Sequence, residues 1–383
     1  MAHHRATRAE INLKAFKHNL QNLKAILGSS TGIMAVIKAD AYGHGAIPCA
    51  KAALECGIQY LGAGVIEEGI ELRKNGIIDP ILILGSIFLD ESADLVHHNL
   101  TTILCNQSLA EELSKEAKKQ NKIAKVHIKV NTGMNRLGVQ PENLLELVEK
   151  IQILPNLKLE GLSTHFSSAD DEDISITKGQ IELFQTALIG LQKMGINPPI
   201  IHLANSSALF RFPETRANIV RPGLILYGAL PSPFIRPIVN EVCKKDNLHN
   251  FQPVMQWKSK IIQLKTIPKG QPLSYSRKYF TEKESLIATI PLGYADGLNR
   301  NLSNNMEVLI KGRRVPQVGN ICMDMTLIDV SGVPDVKLRE EVVIFGKQGE
   351  EEIPVEELAE RSNTIPYELL CNVSKRVPRI YQS

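Results

Sequence analysis

Hydrophobic positions come in blocks, not singly, through roughly the first 230 residues. Short, nearly continuous apolar runs recur as "GIMAVIKA" (32–39), "QYLGAG" (59–64), "PILILGS" (80–86), "TTILCN" (101–106), "AKVHIKVNTG" (124–133), "LKLEGLSTHF" (157–166), "PIIHLANS" (199–206) and "NIVRPGLILYG" (218–228). Between most of them lie helix-forming stretches with apolar residues three or four apart, such as "GAIPCAKAALECG", "IEEGIELRKNG", "SLAEELSKEAKKQ", "ENLLELVEKI" and "TKGQIELFQTALIGLQKMG". Runs that are apolar throughout predict strands of a parallel sheet covered by helices. Eight such units predict a closed (β/α)8 barrel. A doubly wound open sheet would carry G-x-G-x-x-G after its first strand, and that fingerprint is absent.

After about residue 229 the pattern changes. A Pro-rich segment, "PSPFIRPIVN", leads into "VMQWKSKIIQLKTI", "ESLIATIPLGYADG", "MEVLIKGRRVPQV", "MDMTLIDVSG" and "EEVVIFGK", divided by Gly, Pro and Asn turns. The fold class expected is α/β: an N-terminal (β/α)8 TIM-type barrel over 1–239, whose first ten or so residues could join the other unit, and a C-terminal mostly β domain over 240–383.

Composition narrows the partners. The 383 residues carry 44 basic and 41 acidic side chains, a net charge of +3, with no dense basic block beside an aromatic platform, so nucleic acid is not an expected partner. No apolar run nears the roughly 20 residues that span a bilayer, and the N-terminus lacks a signal-like apolar region, so no membrane association and a cytoplasmic location are expected. The six cysteines (Cys49, Cys56, Cys105, Cys243, Cys322, Cys371) form no C-x-x-C pair and no zinc-like spacing, which reads as reduced thiols and no metal site. His3 and His4 read as the remnant of an expression tag, and "ADDED" (169–173) reads as a solvated loop.

Barrel enzymes build their chemistry at the carboxyl ends of the strands. Polar groups stand at those ends here: Lys38 after the first run, Arg136 after the fifth, His165 after the sixth, Asn205 and Ser206 after the seventh, Arg221 and Gly223 in the eighth. A lysine at such a place is ordinarily a rim residue with its charge in water, but it can also form an imine with a carbonyl or bind a phosphate. "HLANSS" and "RPG" supply a hydroxyl and a close backbone approach where such barrels commonly hold a phosphate. An imine-forming lysine opposite a phosphate site points to pyridoxal 5′-phosphate.

On "AVIKADAYGHGA", "NTGMNRLG", "THF", "HLANSS", "RPGLILYG", "LSYSRKY", "PLGYADGLNR", "VGNICMDMTLIDV" and "IPYELLCN", in that order through both halves, the chain resembles the alanine racemase family. The resemblance implies that Lys38 carries pyridoxal 5′-phosphate and serves as acid/base on one face of the α-carbon. It gives the opposite face to Tyr275 from the partner subunit of a homodimer with shared sites. His165 and Arg221 become the sources of the positive charge or strong hydrogen bonding that a tyrosinate needs, with Arg221 also facing the pyridine nitrogen and His202 orienting it. Phosphate contacts are implied for Tyr42, Ser206, Gly223, Leu224 and Tyr367, with Asn205 beside them. Arg136 and Met323 are implied for the substrate carboxylate, Tyr294, Arg300 and Asp324 for the corridor that admits small side chains, and Lys129 for carbamylation. The reaction implied is interconversion of L- and D-alanine, supplying D-alanine for peptidoglycan, or racemisation of serine or a broader set of amino acids. Two positions depart from the family pattern: many relatives have an acidic residue at Asn131 and a glycine at Asn135. The stretch from Pro231 to Gln252 is somewhat longer than in relatives and has no assigned function.

Three rivals remain open on the residues. A decarboxylase of the same architecture would put an acidic group at the pyridine nitrogen, where "RPG" puts an arginine. A pyridoxal-phosphate carrier without turnover would resemble the barrel alone. A phosphosugar-binding barrel would use Lys38 only as a charge and show no visible chromophore.

Overall fold

The computed structural model describes residues 5–382, so His3 and His4 lie outside the described residues. Strand β1 (Arg8–Asn12) comes first, followed by eight parallel barrel strands: β2 (Gly32–Val36), β3 (Tyr60–Ala63), β4 (Ile81–Ile83), β5 (Thr101–Leu104), β6 (Ala124–Lys129), β7 (Leu157–Ser163), β8 (Ile200–His202) and β9 (Ile219–Val220). Each matches one apolar run of the sequence. Neighbours pair in chain order from β2 to β8, and β9 returns to pair with β2. The remaining gap, between β8 and β9, is closed by the Ala204 carbonyl accepting the Arg221 N–H at 2.9 Å and by the Asn218 side-chain oxygen accepting the Ile201 N–H at 2.9 Å. An amide side chain thus stands in for a backbone rung, and the barrel closes.

The barrel interior has two halves. Met34, Tyr60, Leu82 and Ile103 make a small apolar cluster of their own, apart from the main core between strands and helices. The other half is polar, with His127, His202 and Lys129 buried among the strands that carry them. Such interiors are usually filled by branched aliphatics. Room for the His127 ring comes from the adjacent strand, where a Cβ on Gly161 would lie 2.5 Å from His127 Nδ1, and from a register shift between Val126 and His127.

The Pro-rich reading of "PSPFIRPIVN" gives way to a helix, Ile235–Lys245, which runs unbroken through residues 239 and 240. Its proline, Pro237, stands in the first turn, where the missing N–H has no helical partner to lose. Ile235, Val239 and Cys243 face inward, completing the helical jacket next to the first helix, Leu13–Leu27.

The rest of the chain is mostly β. A sheet runs Arg313–Pro316, Glu307–Ile310, Glu341–Gln348, β10 (Met255–Lys260), β1, Arg379–Gln382. Here β1 lies between β10, antiparallel, and the C-terminal strand, parallel. A three-stranded antiparallel sheet joins Gln263–Ile267, Ser285–Ile290 and Thr326–Asp329. Among the described residues no helix is long and apolar enough to cross a membrane, and all six cysteines are free thiols.

Candidate active site

At the carboxyl ends of the barrel strands lies a cavity of about 610 Å³, lined by Lys38, Tyr42, Lys129, Arg136, His165, His202, Asn205, Ser206, Arg221, Gly223 and Tyr367. Tyr367 arrives from the second domain on the short helix Pro366–Asn372 and leans on Tyr42 with ring centroids 5.7 Å apart. Leu224 lies fully buried at the start of the 3₁₀ turn Leu224–Tyr227 that follows Gly223.

Lys38 leaves the end of β2 into an uncommon turn. Ala39, Asp40, Ala41 and Tyr42 all have φ between 52° and 54°, a left-handed helical turn made without glycine until Gly43. Each L-residue in that conformation costs roughly 1–2 kcal/mol, so the turn exists only because its surroundings impose it. The constraints are visible: the Ala41 N–H bonds the Ile37 carbonyl at 2.8 Å, Asp40 Oδ1 accepts the Ala46 N–H at 2.7 Å, and His44 Nδ1 meets the carbonyls of Ala41 and Tyr42 at 2.9 Å each. The turn aims Lys38 into the cavity. Burial first, then the charge of Arg136, lowers its ammonium pKa from the ordinary lysine value.

Arg221 is the deepest cation. Its guanidinium donates to the carbonyls of His202 (2.6 Å), Thr164 (2.8 Å) and Leu203 (2.9 Å), and to His202 Nδ1 (2.7 Å) and His165 Nδ1 (3.2 Å). Burial brings its pKa down to about 10, which leaves it charged at neutral pH. Burial and then Arg221 hold His165 and His202 well below the ordinary histidine value. Both rings are neutral. Of these two groups Arg221 carries the positive charge, and His165 offers an N–H.

Because arginine only donates, His202 must accept at Nδ1 and carry its proton on Nε2. That proton points to His127 Nδ1 at 2.8 Å, so His127 carries its own on Nε2, facing Glu160 Oε2 at 3.4 Å. Glu160 also accepts from Tyr60 Oη (2.7 Å) and Lys125 Nζ (2.8 Å). Burial pushes its carboxyl up, but the bonds from His127, Lys125 and Tyr60 outweigh this and bring it to about 2. The carboxylate balancing Arg221 therefore stands two imidazoles away.

The side of the cavity formed by Ser206, Gly223 and Tyr42 is closely built. The Ser206 hydroxyl accepts the Gly223 N–H at 2.9 Å, and a Cβ on Gly223 would lie 2.5 Å from the Tyr42 hydroxyl. Only glycine lets the backbone come this close. Asn205 is spent locally, its oxygen capping the short helix after it by accepting from the N–H groups of Ser207 and Ala208.

Lys129 is buried, and its ammonium falls to about 8 through burial first, then Arg221 and Arg136. The loop carrying Arg136 explains both departures from the family pattern. Asn131 Oδ1 accepts the N–H of Asn135 at 2.9 Å, as an aspartate would, while its Nδ2 donates to Asn135 Oδ1 at 2.8 Å. Asn135 sits at φ 56°, which asparagine tolerates best after glycine.

Leu224 is buried behind Gly223 rather than on the cavity wall, and five further sequence-selected residues are not in this cavity. Tyr275 is 69% exposed, Met323 53% and Tyr294 42%, and Arg300 and Asp324 are also exposed. They belong to segments of the second domain stitched together by Asn320 Nδ2 donating to the Tyr275 carbonyl (2.8 Å) and by the N–H groups of Tyr294 and Ala295 donating to the carbonyls of Cys322 and Met323 (3.0 Å each). Tyr275 stands between Ser274 and Ser276, both at positive φ.

Several residues escaped the sequence reading. Asp170, in the stretch read as a solvated loop, lines the cavity, and burial raises its carboxyl. Tyr60, His127 and Glu160 lie inside strands or at their edges, and Glu68 lies on a helix. A histidine in "KVHIKV" and a glutamate before glycine in "LEGLS" are polar residues within apolar strands, and that was the available signal.

Two family models match in tandem: "Alanine racemase, N-terminal domain" over residues 11–231 and "Alanine racemase, C-terminal domain" over 254–381. The chain belongs to the alanine racemase family. It is an amino-acid racemase by class. An alanine racemase of Halothermothrix orenii is 44% identical over 99% of this chain and 97% of its own length. Among solved structures, the alanine racemase of Clostridium difficile 630 has a TM-score of 0.92 at 39% identity, covering 100% of this chain and 97% of that one. The enzyme from Bacillus anthracis with bound L-Ala-P has a TM-score of 0.91 at 35% identity, covering 100% and 96%. A histidine racemase from Leuconostoc mesenteroides has a TM-score of 0.88 at 27% identity, covering 100% and 99%.

Proposed function

We propose that this racemase interconverts L- and D-alanine with pyridoxal 5′-phosphate, using Lys38 on one face of the α-carbon and Tyr275 of the partner subunit on the other. The observation that carries this reading is one cavity holding a lysine of lowered pKa, a buried arginine and a glycine-lined cradle. These residues fit the cofactor: Lys38 would hold its carbonyl, Arg221 would face its ring nitrogen, and Tyr42, Ser206, Gly223, Leu224 and Tyr367 would surround its phosphate. When bound, the cofactor withdraws the electrons of the α C–H bond.

The chain's own groups do the rest. Lys38 takes or gives the α-proton, and desolvation favours its neutral amine. A second group on the opposite face is needed because one base returns the proton to the side it came from. Arg221 cannot accept a proton, so it withholds the strong electron sink that a ring-nitrogen carboxylate would create, which favours proton return at the α-carbon. Arg136, with Met323 of the partner subunit, would orient the substrate carboxylate. Tyr294, Arg300 and Asp324 would restrict access to small side chains. The exposed apolar groups around Tyr275 suit a homodimer in which that face covers a neighbouring cavity.

Lys129 fits carbamylation: its amine is buried, lowered to about 8, and set beside Arg136 and Arg221, which a carbamate would balance. We take the cytoplasm as its location and D-alanine for peptidoglycan as its product. Broader specificity is the second reading, favoured by the similarity to a histidine racemase. A chiral assay with pyridoxal 5′-phosphate and L-alanine, then L-serine, tests both. D-alanine with a visible chromophore supports the first, whereas a chromophore with turnover of other amino acids alone supports the second.

A further inference from the structure

The left-handed turn after Lys38 is held along most of its length by groups within it or from the C-terminal strand, whose Arg379 Nε donates to the Gly43 carbonyl at 3.0 Å. Its first residue, Ala39, is held differently. Glu68, in the first turn of the helix Ile66–Lys74, turns back toward the barrel mouth, and its Oε1 accepts the Ala39 N–H at 2.6 Å. Its Oε2 accepts the N–H of Gly64, just past the end of β3, also at 2.6 Å. A Cβ on Gly64 would lie 3.2 Å both from Glu68 Oε2 and from the Lys38 Cβ, so glycine is what lets the three meet.

We propose that Glu68 is a positioning residue for Lys38: its carboxylate ties the first residue of the left-handed turn to the end of β3 and thereby fixes where the lysine amine stands over the cavity. The inference rests on Lys38 acting as the acid/base described above.

Geometry makes the role specific to a carboxylate. Two N–H groups from separate chain segments converge on one side chain, each on a different oxygen, and in this arrangement only a side chain with an acceptor at both positions receives both. Glutamine presents one oxygen and one NH2, so one of the two N–H groups would face a donor. The left-handed backbone then loses its anchor at the residue joined to Lys38. Of the charges bearing on Lys38, those of Arg136 and Arg221 lower its ammonium pKa and that of Glu68 raises it.

The test compares the wild type, Glu68→Gln, Glu68→Asp and the double variant Glu68→Gln/Ala39→Gly as holoenzymes. It measures steady-state racemisation in both directions and backbone amide exchange of peptides covering 38–45. Glu68→Gln is expected to lower kcat about tenfold with KM changed less than about twofold, and to speed exchange in that peptide, since small misplacements of a reacting group are costly. Adding Ala39→Gly is expected to recover part of kcat, because glycine adopts the left-handed conformation without a Cβ clash. Glu68→Asp, which keeps the charge without the reach, is expected to fall between. Wild-type kcat in Glu68→Gln or Glu68→Asp overturns the proposal, as does a loss of kcat with unchanged exchange over 38–45. Failure of the functional reading would look different: the wild type itself would racemise nothing, while the exchange comparison would still report on the turn.

Discussion

His127 Nδ1 lies 2.8 Å from His202 Nε2 in the middle of the barrel, and both rings are fully buried. With Arg221 at one end and Glu160 at the other, every proton in this series is assigned by the one before it. The series therefore carries a fixed polarity. Removing the carboxylate removes the reason for His127 to hold its proton on Nε2.

Glu160→Gln is accordingly expected to destabilise the protein by about 1–3 kcal/mol, the usual cost of leaving a buried polar group unpaired. The pH dependence follows from the sign of the shift. Because the folded-state pKa is depressed to about 2, the stability Glu160 supplies is present above its unfolded value, near 4.5, and is lost as pH falls toward 2. Denaturant titrations should show wild-type stability falling in that window by up to about 1.4 kcal/mol per pH unit from this group, and that component should be missing in Glu160→Gln.

Gly161 and Gly179 make a contrasting pair. A Cβ at 161 would strike the His127 ring at 2.5 Å, whereas one at 179, within the helix Ser175–Lys193, meets nothing within 4 Å. Gly161→Ala is expected to cost about 1–3 kcal/mol through overpacking. Gly179→Ala is expected to stabilise by about 0.5–1 kcal/mol through helix propensity. Thermal unfolding of the two variants beside the wild type checks both signs.

Complementation tests the shared site. Lys38→Ala and Tyr275→Phe should each be inactive, yet mixing and reassociating them should return roughly a quarter of wild-type activity, because half the dimers are mixed and each has one complete site. No recovery in dimers shown to be mixed would mean that Tyr275 serves its own chain.

Carbamylation of Lys129 predicts a carbamate carbon signal after exchange with 13C-labelled bicarbonate, absent in Lys129→Ala. An unlabelled wild type would leave Lys129 as a buried amine between two arginines.

Much of the barrel was legible because most strands are short, nearly continuous apolar runs and the helices keep their own period. The cavity residues at the strand ends were legible for the same reason, since a polar group there interrupts an apolar run. What stayed hidden depends on three-dimensional closeness. Glu68 sits in an ordinary charged helix, "IEEGIELRKNG", and only the fold brings it to Ala39. Asp170 is one of four acids in five residues, and nothing local marks it as the one that turns inward. The helix at Ile235–Lys245 was masked by three prolines, one of which stands in its first turn without harm.

The arrangement of β1 between β10 and the C-terminal strand has a consequence for biogenesis. The whole barrel is spliced into the second domain's main sheet, whose first strand leaves the ribosome early but has no partners until residues 255–260 and then 379–382 follow. During synthesis the barrel can assemble while β1 waits as a free edge, so that edge is the exposed, association-prone segment of the nascent chain. Because Arg379 on the closing strand also grips the turn that follows Lys38, a segment translated long after the barrel completes the surroundings of the lysine.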